Sequence, residues 1–93
     1  MESLVVDCSE VRSQADFWRL YLRMVRPEGA EHFGSNLEAF RDAVLGGGPG
    51  WPGDRTLRFT GSAHMSAIQN GEFLAKLKLI AEASDGDPEI RFE

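Results

Sequence analysis

The chain has 93 residues, 42% hydrophobic and 27% charged, which is enough for one small domain and too apolar for general disorder. Its 10 Lys and Arg against 15 Asp and Glu leave a net charge of −5, which argues against direct nucleic-acid binding and suits either a basic partner or plain solubility. A single cysteine, Cys8, excludes an internal disulfide. The acidic opening Met1-Glu2-Ser3, the short apolar run Leu4-Val5-Val6 and the lack of any run of transmembrane length set the expectation of a cytoplasmic protein off the membrane, with its thiol reduced.

Leu4-Val5-Val6, stopped by Asp7, reads as a first strand, with Cys8 buried at its end. Ser13-Gln14-Ala15-Asp16 reads as a helix start. Behind it Phe17, Leu20, Tyr21 and Met24 recur at i, i+3, i+4 and i+7, predicting an amphipathic helix with Trp18 and Tyr21 as packing residues. Arg19, Arg23 and Arg26 take its wet side, and Pro27 and Gly29 end it.

The stretch from Glu31 to Asp42 reads as a tight loop feeding a short helix. Ser35 and Glu38 fit the capping box S-x-x-E, with Gly34 supplying backbone freedom for the turn. Leu37, Phe40 and Val44 should face a core, while Glu38, Asp42 and Leu45 share another side with Arg41 alongside. Two carboxylates at i and i+4 cost a helix about 0.2–0.5 kcal/mol, so a helix that keeps them invites a positive counterpart. The duller account makes Glu38 the N3 acid of its box and Asp42 a solvated partner of Arg41 or of nothing.

The run Gly46-Gly47-Gly48-Pro49-Gly50-Trp51-Pro52-Gly53-Asp54 is a connection made of breakers, and no Gly-Lys-Ser/Thr closes it as a phosphate loop would require. Thr56 to Thr60 alternates as a strand that Gly61 stops. Ser62 to Gln69 predicts a short helix through Met65 and Ile68, broken at Asn70-Gly71. Glu72 to Ser84 predicts a helix with Phe73, Leu74, Leu77, Ile80 and Ala81 on one side, and with Glu72–Lys76 and Lys78–Glu82 as surface pairs. Asp85-Gly86-Asp87-Pro88 reads as a turn, and Glu89 to Phe92 as a last strand. Strands separated by helices imply an α/β fold with a parallel sheet of three strands and three to four helices. His32, His64, Glu38, Asp42 and Cys8 form no catalytic or metal-ligand spacing, so neither an enzyme nor a cofactor is expected.

Phe33-Gly34-x-Asn36-Leu37-x-Ala39-x-x-Asp42 resembles the motif that opens the second helix of the barstar family, intracellular inhibitors of secreted guanyl-type ribonucleases. Asn70-Gly71 and Asp85-Gly86 match that family in spacing, and the likeness in element order covers almost the whole chain. It implies one inhibitor domain over residues 1–93, a small three-stranded parallel sheet packed by helices, and a 1:1 complex with a small ribonuclease whose cleft is basic. By that resemblance Asp42 stands where the RNA phosphate would sit, and Glu38 is a second acid one turn earlier. His32 and Phe33 match two aromatic positions leading into the motif, the first of which packs on the nuclease's catalytic histidine. Gly46 matches a glycine at the far end of the helix, and Gly34, Asn36 and Leu45 complete the expected face. Arg41 stands where the family has a tryptophan, and His32 where it has a larger tyrosine. The glycine-rich stretch is longer here, so Trp51 has no firm counterpart. A family acid on the last helix falls on Ala81 or Glu82 according to a one-residue choice, and Asp85 aligns with a second acid. The alternative is a module of the same fold that binds a different toxin or a regulator.

Overall fold

Period-two alternation decides which way the sheet faces. In the computed structural model, which describes residues 3–86 and 88–93, three short strands form it: β1 (Ser3–Asp7), β2 (Thr56–Thr60) and β3 (Ile90–Phe92). They lie in the order β1-β2-β3, both pairings parallel, with Leu4 opposite Leu57, Val6 opposite Phe59, and Phe59 opposite Phe92. These apolar residues share one face, and Val6, Leu57 and Phe59 are fully buried there. The register row Val5, Arg58, Arg91 occupies the other face, where Arg58 grips Glu93 through Nε at 3.0 Å and Nη2 at 2.7 Å. Met1 and Glu2, which bore on the reading of the chain's start, and Asp87 of the expected last turn lie outside the described residues.

Three helices carry the connections: α1 (Gln14–Val25), α2 (Leu37–Gly46) and α3 (Glu72–Ala83). Ser13 caps α1, its hydroxyl accepting from the Asp16 amide at 3.2 Å, as its sequence position predicts. The buried stripe of α1 is Phe17, Trp18, Tyr21 and Val25, whereas Met24, expected on that stripe, is exposed. The helix is rolled toward Trp18 because its indole packs on Phe33, Phe40 and Phe73 at the same centroid separation of 5.7 Å. Tyr21 adds Phe33 at 5.6 Å and Phe40 at 5.4 Å. Such pairs contribute about 0.5–1.5 kcal/mol each beyond their burial, so α1 fixes both α2 and the loop before it.

The segment after β2 departs from the expected short α-helix. It winds as 3₁₀ turns over Ser62–Gly71, interrupted by extended Ile68 and by Gln69 and Asn70 at positive φ (50° and 56°). Met65 is buried from within the tight turns and Ile68 from the extended residue that interrupts them, and this burial outweighs the poorer hydrogen-bond geometry. The break therefore begins two residues before the Asn70-Gly71 pair. Neither Glu72–Lys76 nor Lys78–Glu82 is among the ion pairs of the described residues.

Cys8 is fully buried just past β1. Burial first, and then the neighbouring Asp7 charge, push its thiol pKa up to about 12. Titration with a disulfide thiol reagent at mildly alkaline pH should therefore leave Cys8 unmodified in the folded chain and react with it fully in denaturant. Rapid labelling of the folded chain would show that this end of the sheet opens.

Candidate partner-binding site

The start of α2 is built by Asn36, not by the expected Ser35–Glu38 box. Asn36 has extended dihedrals (φ −149°, ψ 174°), and its Oδ1 accepts from the Ala39 amide at 2.7 Å. Its Nδ2 donates to the Gly34 carbonyl at 3.3 Å, so one side chain ties the loop to the helix at both ends. Ser35 sits one residue too early and takes positive φ (52°). Gly34 is not in the left-handed region; its missing Cβ instead leaves room for Ala39, whose Cβ would stand 3.2 Å from an added methyl. Asn36→Ala is expected to cost about 1 kcal/mol in a denaturant melt, as loss of a helix cap does. Ser35→Ala should be close to neutral, and the reverse ranking would restore the serine cap.

The far end of α2 closes at Gly47 (φ 70°), whose amide donates to the Ala43 carbonyl at 3.1 Å, while the Gly48 amide donates to the Asp42 carbonyl at 3.4 Å. Beyond it the glycine-rich segment turns back on the loop that precedes the helix. Gly50 N donates to the Glu28 carbonyl at 2.8 Å, and Glu28 and Trp51 form an antiparallel bridge. Tyr21 Oη donates to the Gly50 carbonyl at 2.7 Å from the core side. Arg55 holds the outer limb, with Nη2 donating to the Val25 carbonyl at 2.8 Å and to the Pro52 carbonyl at 3.1 Å. The Arg55 clamp had no signal in the sequence, because a lone arginine between a breaker run and a strand reads as a solvated charge.

On this frame α2 buries Phe40, Ala43 and Val44 and presents Glu38, Arg41, Asp42 and Leu45 outward. None of the three charged residues has a salt-bridge partner among the described residues, so Asp42 is solvated and not paired with Arg41. The last turn of α2 has no basic residue, so the partial negative charge of that helix end adds to Asp42 and is not offset. His32 closes a 3₁₀ turn over Ala30–His32, its ring 75% exposed and 3.9 Å from the Glu31 carboxylate. Phe33, one residue on, is only 8% exposed and props the loop from below through Trp18 and Tyr21. Gly46 is exposed, with nothing within 4 Å of an added Cβ.

Glu82 and Asp85 stand apart from this cluster. Glu82 lines a depression between α3 and β3 with Lys78, Ala81, Gly86, Glu89, Ile90 and Phe92. Asp85 follows α3 at positive φ (53°), its amide donating to the Glu82 carbonyl at 3.1 Å. The face of α3 toward α2 is made instead by Lys76, Leu79, Ile80 and Ala83. Among the described residues no group of three or more His, Cys, Asp or Glu is placed to hold a metal ion, and no helix is long and apolar enough to cross a membrane.

The sequence model of one family, described as Barstar (barnase inhibitor), matches residues 1–93. The chain belongs to the barstar family. The three-stranded parallel sheet with three helices is consistent with a barstar-like fold, and the family description is that of an inhibitor rather than an enzyme. No curated protein sequence matches the chain.

Proposed function

We propose that this chain blocks the active site of a secreted guanyl-type ribonuclease, in a 1:1 complex inside the cell that makes both, by presenting α2 and the loop before it to a basic cleft. The observation that carries this is Asp42: an exposed carboxylate without a salt-bridge partner among the described residues, one turn from a helix end whose partial charge has the same sign. Such an arrangement costs the free protein a little stability and is relieved by a cluster of cations, which is what a phosphate-binding cleft offers. Glu38 adds a second charge one turn earlier. The exposed ring of His32 stands ready to stack at the loop tip, with Phe33, Gly34 and Asn36 fixing its position. Gly46 supports the same reading. Packing does not require a glycine there, and glycine in a helix costs about 0.5–1 kcal/mol relative to alanine, so its bare backbone suits close approach by a partner beside Leu45. Glu82 and Asp85 would meet the nuclease at a second spot beyond α3.

Inhibition should be fast, stoichiometric and sensitive to salt, because opposed potentials steer the encounter. The test is to titrate a panel of guanyl-type ribonucleases, barnase included, with the pure chain and follow RNA cleavage. Absence of inhibition across the panel at micromolar chain would end the reading. Glu38→Gln separates helix stability from contact on one variant. Loss of its favourable interaction with the helix start costs at most about 0.3–1 kcal/mol. Inhibition should fall by more than that. Loss of stability with inhibition intact would confine Glu38 to the helix.

A further inference from the structure

Between α2 and α3 runs a shallow groove of about 280 Å³ that the reading above leaves unused. Leu37, Leu79, Ile80 and Ala83 make its apolar surface, and Glu38, Arg41 and Lys76 its rim. Leu79 is 63% exposed, the most exposed large hydrophobic side chain described. A single exposed leucine is ordinary. Here it lines a concave strip flanked by two cations, and neither Arg41 nor Lys76 has a salt-bridge partner among the described residues. In a chain of net charge −5, this is a patch where cations outnumber carboxylates, two to one.

Resting on the inhibitor reading, we propose that this groove receives an apolar side chain of the partner ribonuclease that stands beside a carboxylate. Continuity argues for the same partner: Glu38 and Arg41 belong both to the outward face of α2 and to the groove, so a protein seated over Asp42 extends across it. Charge argues for the occupant. A basic rim of the nuclease would be repelled by Arg41 and Lys76, whereas an acid set beside an apolar residue satisfies both the cations and Leu79. The volume suits one or two side chains, not a helix. The interface would then carry two polarities, acids of the inhibitor on the cleft and cations of the inhibitor on its edge. The second of these selects among nucleases that share a basic cleft, since specificity rests on what is repelled as well as on what is held.

The test uses the ribonuclease in the panel that the chain inhibits most tightly, with inhibition constants at low and moderate salt for Leu79→Asp, Lys76→Glu and Asp42→Ala. Leu79 and Lys76 are exposed, so both groove variants should keep the fold, and circular dichroism of each checks this. Each groove variant is expected to weaken inhibition about tenfold or more, with the Lys76→Glu loss shrinking as salt rises. Inhibition within about twofold of wild type for both, beside a large loss in Asp42→Ala, would overturn the groove and leave the inhibitor reading standing. Tighter inhibition by Lys76→Glu would show a basic surface opposite and also overturn it. If Asp42→Ala is neutral too, or no ribonuclease is inhibited, the inhibitor reading falls and the groove proposal falls with it.

Discussion

Asp42→Ala should weaken ribonuclease inhibition by about 2–5 kcal/mol, the cost of truncating one partner of a desolvated charge pair, a range to which barstar-type complexes themselves contributed. The same substitution should leave the free chain as stable or slightly more so. Asp42 is exposed, has no salt-bridge partner among the described residues, lies one turn from Glu38 and sits near the wrong end of the helix dipole for an acid. Removing it relieves about 0.2–0.5 kcal/mol of like-charge repulsion and a comparable dipole penalty. Affinity and stability are thus expected to move in opposite directions, a signature that no packing defect reproduces. Inhibition assays and thermal melts on the one variant check it. Unchanged inhibition with normal circular dichroism would rule out the phosphate-mimic role, and a large loss of stability would show that Asp42 holds the helix rather than a partner.

The elements that were legible in the sequence are those whose signal is local. Alternation in Thr56–Thr60 and the i, i+3, i+4 spacing of Phe17, Tyr21, Phe73, Leu77 and Ile80 follow from backbone geometry alone, and the structure places them as expected. Ser13 was readable as a cap because nothing nearby competes with it. At α2 two cap candidates stand side by side, and the choice depends on which residue can reach both ways. Asn36 carries a donor and an acceptor and uses both, whereas Ser35 would leave the Gly34 carbonyl without its Nδ2 partner. The outward set Glu38, Arg41, Asp42 and Leu45 was readable from helical phase once the helix was placed. The roll of α1 away from Met24 was not, since it is set by Trp18 meeting Phe33, Phe40 and Phe73, residues distant in the chain. The glycines from 46 to 53 looked alike as breakers, yet Gly46 and Gly47 face open space while Gly50 is wedged against an aromatic ring.

That wedge carries the second large expected effect. Gly50 has φ +98°, and a Cβ there would run into Phe33 Cδ1 and stand 2.8 Å from Cε1. Gly50→Ala therefore meets two obstacles at once, a backbone conformation that favours glycine and a ring that Trp18 and Tyr21 hold in place. Relief requires either moving Phe33 out of the core or lifting the segment and breaking the bonds from Gly50 N to the Glu28 carbonyl and from Tyr21 Oη to the Gly50 carbonyl. Overpacking of this kind costs about 1–3 kcal/mol, and the left-handed backbone adds roughly 1–2 kcal/mol for a residue bearing a Cβ. For a 93-residue chain with an expected stability of about 5–15 kcal/mol, that is a large fraction of the whole. Both routes also displace the loops on either side of α2, so inhibition should fall although Gly50 is buried and offers a partner no side chain. Phe33→Leu in the Gly50→Ala background should recover part of the lost stability by giving the methyl room. A denaturant melt of Gly50→Ala that matches wild type would show that the ring and the segment separate freely, and would remove Phe33 as the prop beneath the site.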